Sequence, residues 1–351
     1  MAMLRRVQSQ SSHSPQRRSF LNATAKLAGA SLALPFGAAY WTGASAQSLA
    51  PMNFQLSWIK TMQYGGWFAG LEKGFFREVG IEAIFNTCGP NVDPIANVAA
   101  GRSVLGDRPS GQLVIAREKG IPIKIIGVVF QKNPFAIMSL ASKPIKSIKD
   151  LAGKSLETGL SARPLMVNVL RENGVDPKSV RMLPSAADPA GLVNGLVDAY
   201  LGMETNQGVM LQVQGVPTYM LNLHQFMPDT SGNIYAREDF LANNKDLVVR
   251  FLRAAIKSWT WALSNQEETA KLLIEKYGVP GLDPKAQVVE IKASKPFIEA
   301  GIAQKQGILS VDVDLFDRIL DNYRKSELIK SNIRAKDLCD PQYILEAYRR
   351  I

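Results

Sequence analysis

From Met52 onward, short apolar runs alternate with stretches whose apolar residues recur every three or four positions. FQLSW, IEAIF, IKIIGVVF, FAIMSLA, SVRML, DAYLGM and PTYML have the dense apolar character of strands buried on both faces. Between them GGWFAGLEKGFFREVG, IANVAAG, QLVIAREKG, RPLMVNVLRENG, PAGLVNGLV and QGVMLQVQG read as helices, many ending in Gly behind Lys, Asn or Gln as a C-cap does. This alternation predicts an α/β fold with parallel sheets covered on both faces. After about Asp246 the pattern becomes helical throughout: DLVVRFLRAAIKSWTWALSN, EETAKLLIEKYG, VDLFDRILDNYRKS and DPQYILEAYRR. A helical C-terminal third behind a run of strands is expected to return and pack on the first sheet. Some 300 residues exceed what one core usually organises, so two lobes are expected: residues 52–136 in the first, 137–234 in the second, and 235–351 returning to the first. The chain would cross between them near Asn133–Ser139 and Asn233–Glu238.

The first 46 residues read differently. They hold Arg5, Arg6, Arg17, Arg18 and Lys26 and no acid, then the apolar run LAGASLALPFGAAYW and the small-residue site GASAQ. That is the pattern of a secretory signal, with cleavage expected after Ala46. The paired arginines of QRRSFLN suggest the Tat route, although Asn22 stands where such signals often carry Lys. The full chain is +10; taking off five leader cations leaves +5 over 305 residues. With no dense basic stripe, nucleic acid is not an expected partner. Cys88 and Cys339 lie far apart, so a single disulfide and two buried thiols are both open. His224 is the one histidine beyond the leader, too few ligands for a zinc site. A monomer is the default expectation, and no cofactor is expected.

Several residues at strand ends carry chemistry. Trp58 closes the first strand and offers a large face for stacking, with Lys60 in the loop behind it and Tyr64 there as a second ring that could stack. Asn91 lies in the turn TCGPNVDP, where Asp93 is suited to cap the next helix. Ser110 opens a helix, and Gln131 ends IKIIGVVF beside the expected crossing. Thr158, Gly159 and Ser161 follow a strand and precede a helix, where backbone donors could meet a ligand oxygen or Ser161 could act as a cap. Glu204 leaves AYLGM at the start of a helix. A carboxylate there can accept two parallel N–H bonds, or can simply cap the helix.

The order and spacing of these blocks carry a resemblance. NFQLSWIKTMQYGGWFAGLEKGFFREVGIEAIF, then VAAGRSVLG, AREKGIPIKIIGVVFQKNPF, SIKDLAGKSLETG, LRENGVDPKSVRML and LVDAYLGMETNQG, resemble periplasmic substrate-binding proteins of the nitrate/sulfonate/thiamine-pyrimidine class, over roughly residues 52–265. The resemblance implies a two-lobed type II Venus-flytrap fold that delivers a small molecule to an ABC permease in the inner membrane. In the thiamine-pyrimidine branch the matching strand end reads Gly-hydrophobic-Glu, as GMETNQ does, which implies a small planar nitrogenous ligand on Glu204. An oxyanion held by Lys60 and backbone N–H groups is the alternative. Fungal pyrimidine synthases share the fold but carry a lysine for pyridoxal phosphate, active-site histidines and a cysteine-rich run. The corresponding positions here are Arg108, Gln112 and Tyr64, and the cysteine-rich run is missing, so an enzyme is not expected. Arginine does not supply the free amine that a Schiff base needs.

Overall fold

The computed structural model describes residues 48–88, 93–159 and 162–351, so the expected leader, Asn91 and Ser161 lie outside the described residues. Ten strands are described: β1 (Ala50–Gln55), β2 (Ile81–Asn86), β3 (Leu105–Arg108), β4 (Ile123–Phe130), β5 (Phe135–Leu140), β6 (Ser155–Thr158), β7 (Arg181–Pro184), β8 (Ala199–Met203), β9 (Thr218–Asn222) and β10 (Ser231–Arg237). They form two five-stranded sheets. Sheet A runs β2-β1-β3-β10-β4 and sheet B runs β7-β6-β8-β5-β9. Helices or helical turns lie between all successive strands except β4 and β5, so the fold is α/β with a helical C-terminal third.

The sheets are mixed rather than parallel. β1 is parallel to β2 and β3, and β6 is parallel to β7 and β8, but β10 runs against β3 and β4, and β5 runs against β8 and β9. The reason lies in the connections. The chain leaves sheet A at the carboxyl end of β4 and enters sheet B at the carboxyl end of β8, where Phe135 faces Met203. It leaves again at Asn222 and returns beside the ends of β4 and β3, with Ser231 opposite Phe130 and Asn233 opposite Arg108. A strand arriving at the carboxyl edge must run backwards through the sheet it joins. Four residues link Phe130 to Phe135, which keeps those ends within about 18 Å of each other. The carboxyl edges of the two sheets are therefore held face to face.

The sheet A core explains the letters GGWFAG. Trp67 packs among Phe54 (ring centroids 5.1 Å apart), Phe85 (5.5 Å) and Phe251 (6.0 Å), and meets Trp259 edge-on at 5.6 Å. Full burial of one such ring is worth about 1.5–3 kcal/mol. The helix Gly65–Glu72 comes this close to the helix Lys245–Ser264 because Gly66 has no Cβ; one placed there would overlap the Trp259 indole.

The helix Pro284–Ile298 has the greater bearing on function. On one side it lies against the turn Met62–Tyr64 and β4; on the other it meets the helix Val209–Val213 and the turn Glu204–Gly208. The C-terminal third thus spans both sheets' edges. No helix among the described residues is long and apolar enough to cross a membrane. None of the described His, Cys, Asp and Glu side chains cluster in a way that could hold a metal ion.

Candidate ligand-binding site

The edge of sheet A is fastened by a buried carboxylate. Asp107, in β3, accepts from the Ser57 amide at 2.9 Å and from the Ser57 hydroxyl at 2.7 Å. Ser57 Oγ in turn lies 3.0 Å from the Tyr64 hydroxyl, so the donors run from Tyr64 to Ser57 to Asp107. Burial raises the Asp107 carboxyl to about 6 despite these donors, and burial followed by the Asp107 charge pushes the Tyr64 hydroxyl well above its usual value. Tyr64 is only 3% exposed, so it braces the loop that presents Trp58 and is not open to stacking. Trp58 is half-buried at the rim of the core. Lys60 directs its ammonium over the Phe68 ring, 5.8 Å from the centroid.

Other strand-end residues are committed to the scaffold. Ser110 is fully buried, and its hydroxyl donates to Asp229, on the segment that crosses back from sheet B. Asp229 also accepts the Thr230 amide at 2.8 Å, and its carboxyl is raised to about 6 by burial. The Ser110 amide donates to Thr230 O at 3.0 Å, so this contact clamps the returning segment to the helix Ser110–Glu118. Gln131 Nε2 donates to Val128 O at 2.8 Å and to Ser310 O at 2.9 Å, and so anchors the outgoing segment. Asp93 caps its helix, accepting from Ile95 and Ala96. Thr158 ends β6 and is buried; Gly159 beyond it is partly open.

The edge of sheet B is less committed. Glu204 follows β8, the central strand, and begins a π-helical turn, Glu204–Gly208, a geometry common at functional sites. Its amide donates to Pro134 O at 2.8 Å, which ties it to the outgoing segment. Its carboxylate accepts from Asn222 Nδ2, at the end of β9. Burial raises its carboxyl, while the Lys132 ammonium and the Asn222 amide pull it back. Lys132 also lowers His224, second to burial. Glu204, Asn222, Lys132 and His224 therefore share one neighbourhood. Sequence reasoning named only the first of them for the ligand; the others reach the site through chain crossings that no local pattern reveals.

Buried polar atoms without a hydrogen-bond partner mark the same place. Twelve occur among the described residues, and six of them belong to Thr61, Arg108, Asn133, Thr205, His224 and Glu290. Each of those residues follows or ends a strand at the facing edges, lies on a crossing segment, or sits on the helix Pro284–Ile298. Such groups are costly unless something completes them, and a ligand or water can. Glu290 is 1% exposed; it accepts from Asn206 Nδ2 at 2.8 Å, and burial raises its carboxyl to about 8. It joins the turn behind Glu204 to the turn behind Trp58, since Gln63 N–H and Thr61 lie beside it. A hollow of about 760 Å³ also opens along Phe75, Lys257, Trp261 and Arg350. Of its cations Lys257 pairs with Glu78 and Arg350 with Asp246, while Arg253 reaches the Arg350 carbonyl, and no unpartnered buried atom lines it. The strand edges are the stronger candidate.

The chain has relatives among known proteins. The chain is 22% identical over 306 residues to the riboflavin-binding protein RibY of Chloroflexus aurantiacus, covering 85% of this chain and 87% of that protein. It is 23% identical to a formylaminopyrimidine-binding protein of Halalkalibacterium halodurans (66% of this chain, 72% of that protein). It is also 24% identical to a 4-amino-5-hydroxymethyl-2-methylpyrimidine phosphate synthase of Legionella pneumophila (63% and 72%). Among solved structures, the periplasmic aliphatic sulphonate binding protein SsuA of Escherichia coli superposes with a TM-score of 0.65 at 15% identity, over 84% of this chain and 92% of that one, which shows the periplasmic-binding-protein fold. The NMT1/THI5-like model matches residues 61–269, more than half of the 351, and the chain belongs to that family.

Proposed function

We propose that this protein is the solute-binding receptor of an ABC importer, exported by its leader with cleavage after about Ala46, and that it captures a small planar nitrogenous molecule between the facing edges of its two sheets. Glu204 carries the reading: a half-buried carboxylate at the tip of a central strand, supported by one amide and otherwise open. An aminopyrimidine presents an exocyclic N–H beside a ring nitrogen that can be protonated, which matches the two acceptors of a carboxylate. Trp58 is suited to cover the ring face. Gly159, at the tip of β6, leaves space for a substituent, with the buried Thr158 setting the floor. Riboflavin and formylaminopyrimidine, which two relatives are named for, are both planar nitrogen heterocycles. The crossing segments act as hinges, and closure over the ligand presents both lobes to a permease.

Catalysis is the weaker reading, although one relative is named as a synthase. The fungal synthases that share the fold carry a lysine for pyridoxal phosphate; the matching strand tip here offers Arg108, and a guanidinium is not the free amine that a Schiff base needs. The test is thermal unfolding of the protein with pyrimidines, flavins, sulfonates and aromatic acids. A ligand at 100 times its Kd should stabilise by about 2.7 kcal/mol. Pyrimidines or flavins are expected to raise Tm and Glu204→Gln to abolish the rise. A response confined to simple sulfonates, or turnover of a bound pyrimidine, would refute the proposal.

A further inference from the structure

The two central strands end in opposite charges. β3 is central in sheet A and closes with Arg108; β8 is central in sheet B and is followed by Glu204. Each tip is tied to a different crossing segment. Arg108 O accepts from Asn233 Nδ2 at 2.8 Å on the returning strand, and Glu204 N donates to Pro134 O at 2.8 Å on the outgoing one. The turns Met62–Tyr64 and Glu204–Gly208 touch, and Arg108 reaches the loop that leads into the first of them through Ser57 O.

Arg108 is under-used by the protein. Its Nε is buried without a partner, and the bond it makes through Nη1, to Ser57 O, is long at 3.4 Å. The nearest acid in sequence, Asp107, has one oxygen taken by the Ser57 amide and the other by the Ser57 hydroxyl. Among the described residues no carboxylate lies within ion-pair distance of Arg108 or of Lys132. On the outgoing segment, one residue before the Pro134 that accepts the Glu204 amide, Asn133 is 3% exposed and its Nδ2 is an unpartnered donor. A guanidinium with a buried open N–H is costly by itself and favourable once a planar or tetrahedral oxyanion completes its fork. Glu204 does not forbid such an anion, because the Lys132 ammonium stands in its neighbourhood with no ion-pair partner of its own among the described residues.

We infer that the ligand is dipolar: a nitrogen heterocycle whose N–H groups meet Glu204 and whose far end carries an oxyanion bound by Arg108, with Asn133 donating to an oxygen between them. This rests on the receptor reading above and narrows its ligand class to heteroaromatic carboxylates, phosphates or sulfonates.

The test is calorimetry on the full chain with three probes that share one ring: 4-amino-5-hydroxymethyl-2-methylpyrimidine, its phosphate ester, and the matching 5-carboxylate. At low salt the better anionic probe should bind at least tenfold more tightly than the alcohol, and the advantage should shrink as salt rises. Arg108→Gln should remove the advantage while leaving the alcohol within about threefold; Arg108→Lys should restore part of it. An alcohol that binds as well as both anions, with its dependence on Glu204 intact, overturns the dipolar ligand alone. Equal loss of all three probes in Arg108→Gln, with an unchanged Tm, also overturns it. Binding of none of the three overturns the dipolar ligand, and the receptor reading falls with it only if flavins also leave Tm unchanged.

Discussion

Asp107 and Glu204 stand at equivalent places, each at the carboxyl end of the central strand of its sheet, and burial raises both carboxyls. Their surroundings differ. Asp107 is fully enclosed and both its oxygens receive a hydrogen bond from Ser57, so it holds a loop in place. Glu204 is half-buried, with Asn222 as its side-chain partner and Lys132 at longer range. A carboxylate wrapped by its own chain is architecture. One that keeps open acceptors in a desolvated place is suited to the ligand role proposed for it, at some cost in stability.

Glu290 lies between the two edges and defines the extreme of this comparison, so the largest effect is expected there. Its ordinary value of 4.5 is raised to about 8 by burial. In the folded protein it holds a proton at neutral pH that the unfolded chain releases. Its contribution to stability is therefore full below about pH 4.5 and is lost as pH rises through about 8. Glu290→Gln keeps an acceptor for Asn206 and an N–H for the Thr61 hydroxyl, and it cannot ionise. The variant should match the wild type near pH 5 and exceed it at pH 8 by about 3 kcal/mol. Parallel stability curves from pH 5 to 8 would show that Glu290 reaches solvent.

Asp107→Ala comes next. It leaves the Ser57 amide without an acceptor and deprives the Ser57 hydroxyl of its charged one, a loss of about 2–3 kcal/mol in urea unfolding at constant slope. Glu204→Gln should do the opposite on stability: a change within about 0.5 kcal/mol, or a slight gain, because a desolvated charge is removed. Affinity for an aminopyrimidine should nonetheless fall more than tenfold. If Glu204→Gln destabilises as much as Asp107→Ala while binding survives, the two acids have the same job and the comparison collapses.

The contrast between the edges was only partly legible in the sequence. Strands such as IKIIGVVF and AYLGM could be read because burial on both faces demands unbroken apolar letters. β10 could not be read this way: SGNIYAR has the letters of a turn, yet it is a buried strand. Its polar groups are satisfied locally, Asn233 by Arg108 O and Thr230, and Tyr235 by Pro94 O. The helix Pro284–Ile298 carries no clear apolar stripe because it is wedged between both edges and buries Gln287, Glu290 and Ser294, and Pro296 reads as a stop although the helix runs through it. Glu204 stood out as an acid after an apolar strand. Tyr64 invited a stacking role because letters do not show which way a hydroxyl turns; here it turns inward to Ser57. Lys132 and His224 join Glu204 only because the crossing segment and the end of β9 meet at one edge.

The smallest expected effect tests whether the sheet A edge behaves as one unit. The Tyr64 hydroxyl donates to Ser57 Oγ, and Ser57 Oγ donates to Asp107. Tyr64→Phe keeps the buried ring and loses one neutral hydrogen bond, about 1 kcal/mol. Its partner is a hydroxyl that still donates to Asp107, so nothing charged is stranded and affinity for the ligand should stay within about twofold. The informative quantity is the coupling with Asp107→Ala. If Ser57 relays the two groups, deleting Asp107 frees its hydroxyl to donate elsewhere, and the second deletion costs less than it does alone. A double-mutant cycle should then give about 0.5–1 kcal/mol of coupling. Strict additivity would mean that Ser57 is held by Asp107 alone, and that Tyr64 fills space at the edge without helping to fix the loop that carries Trp58.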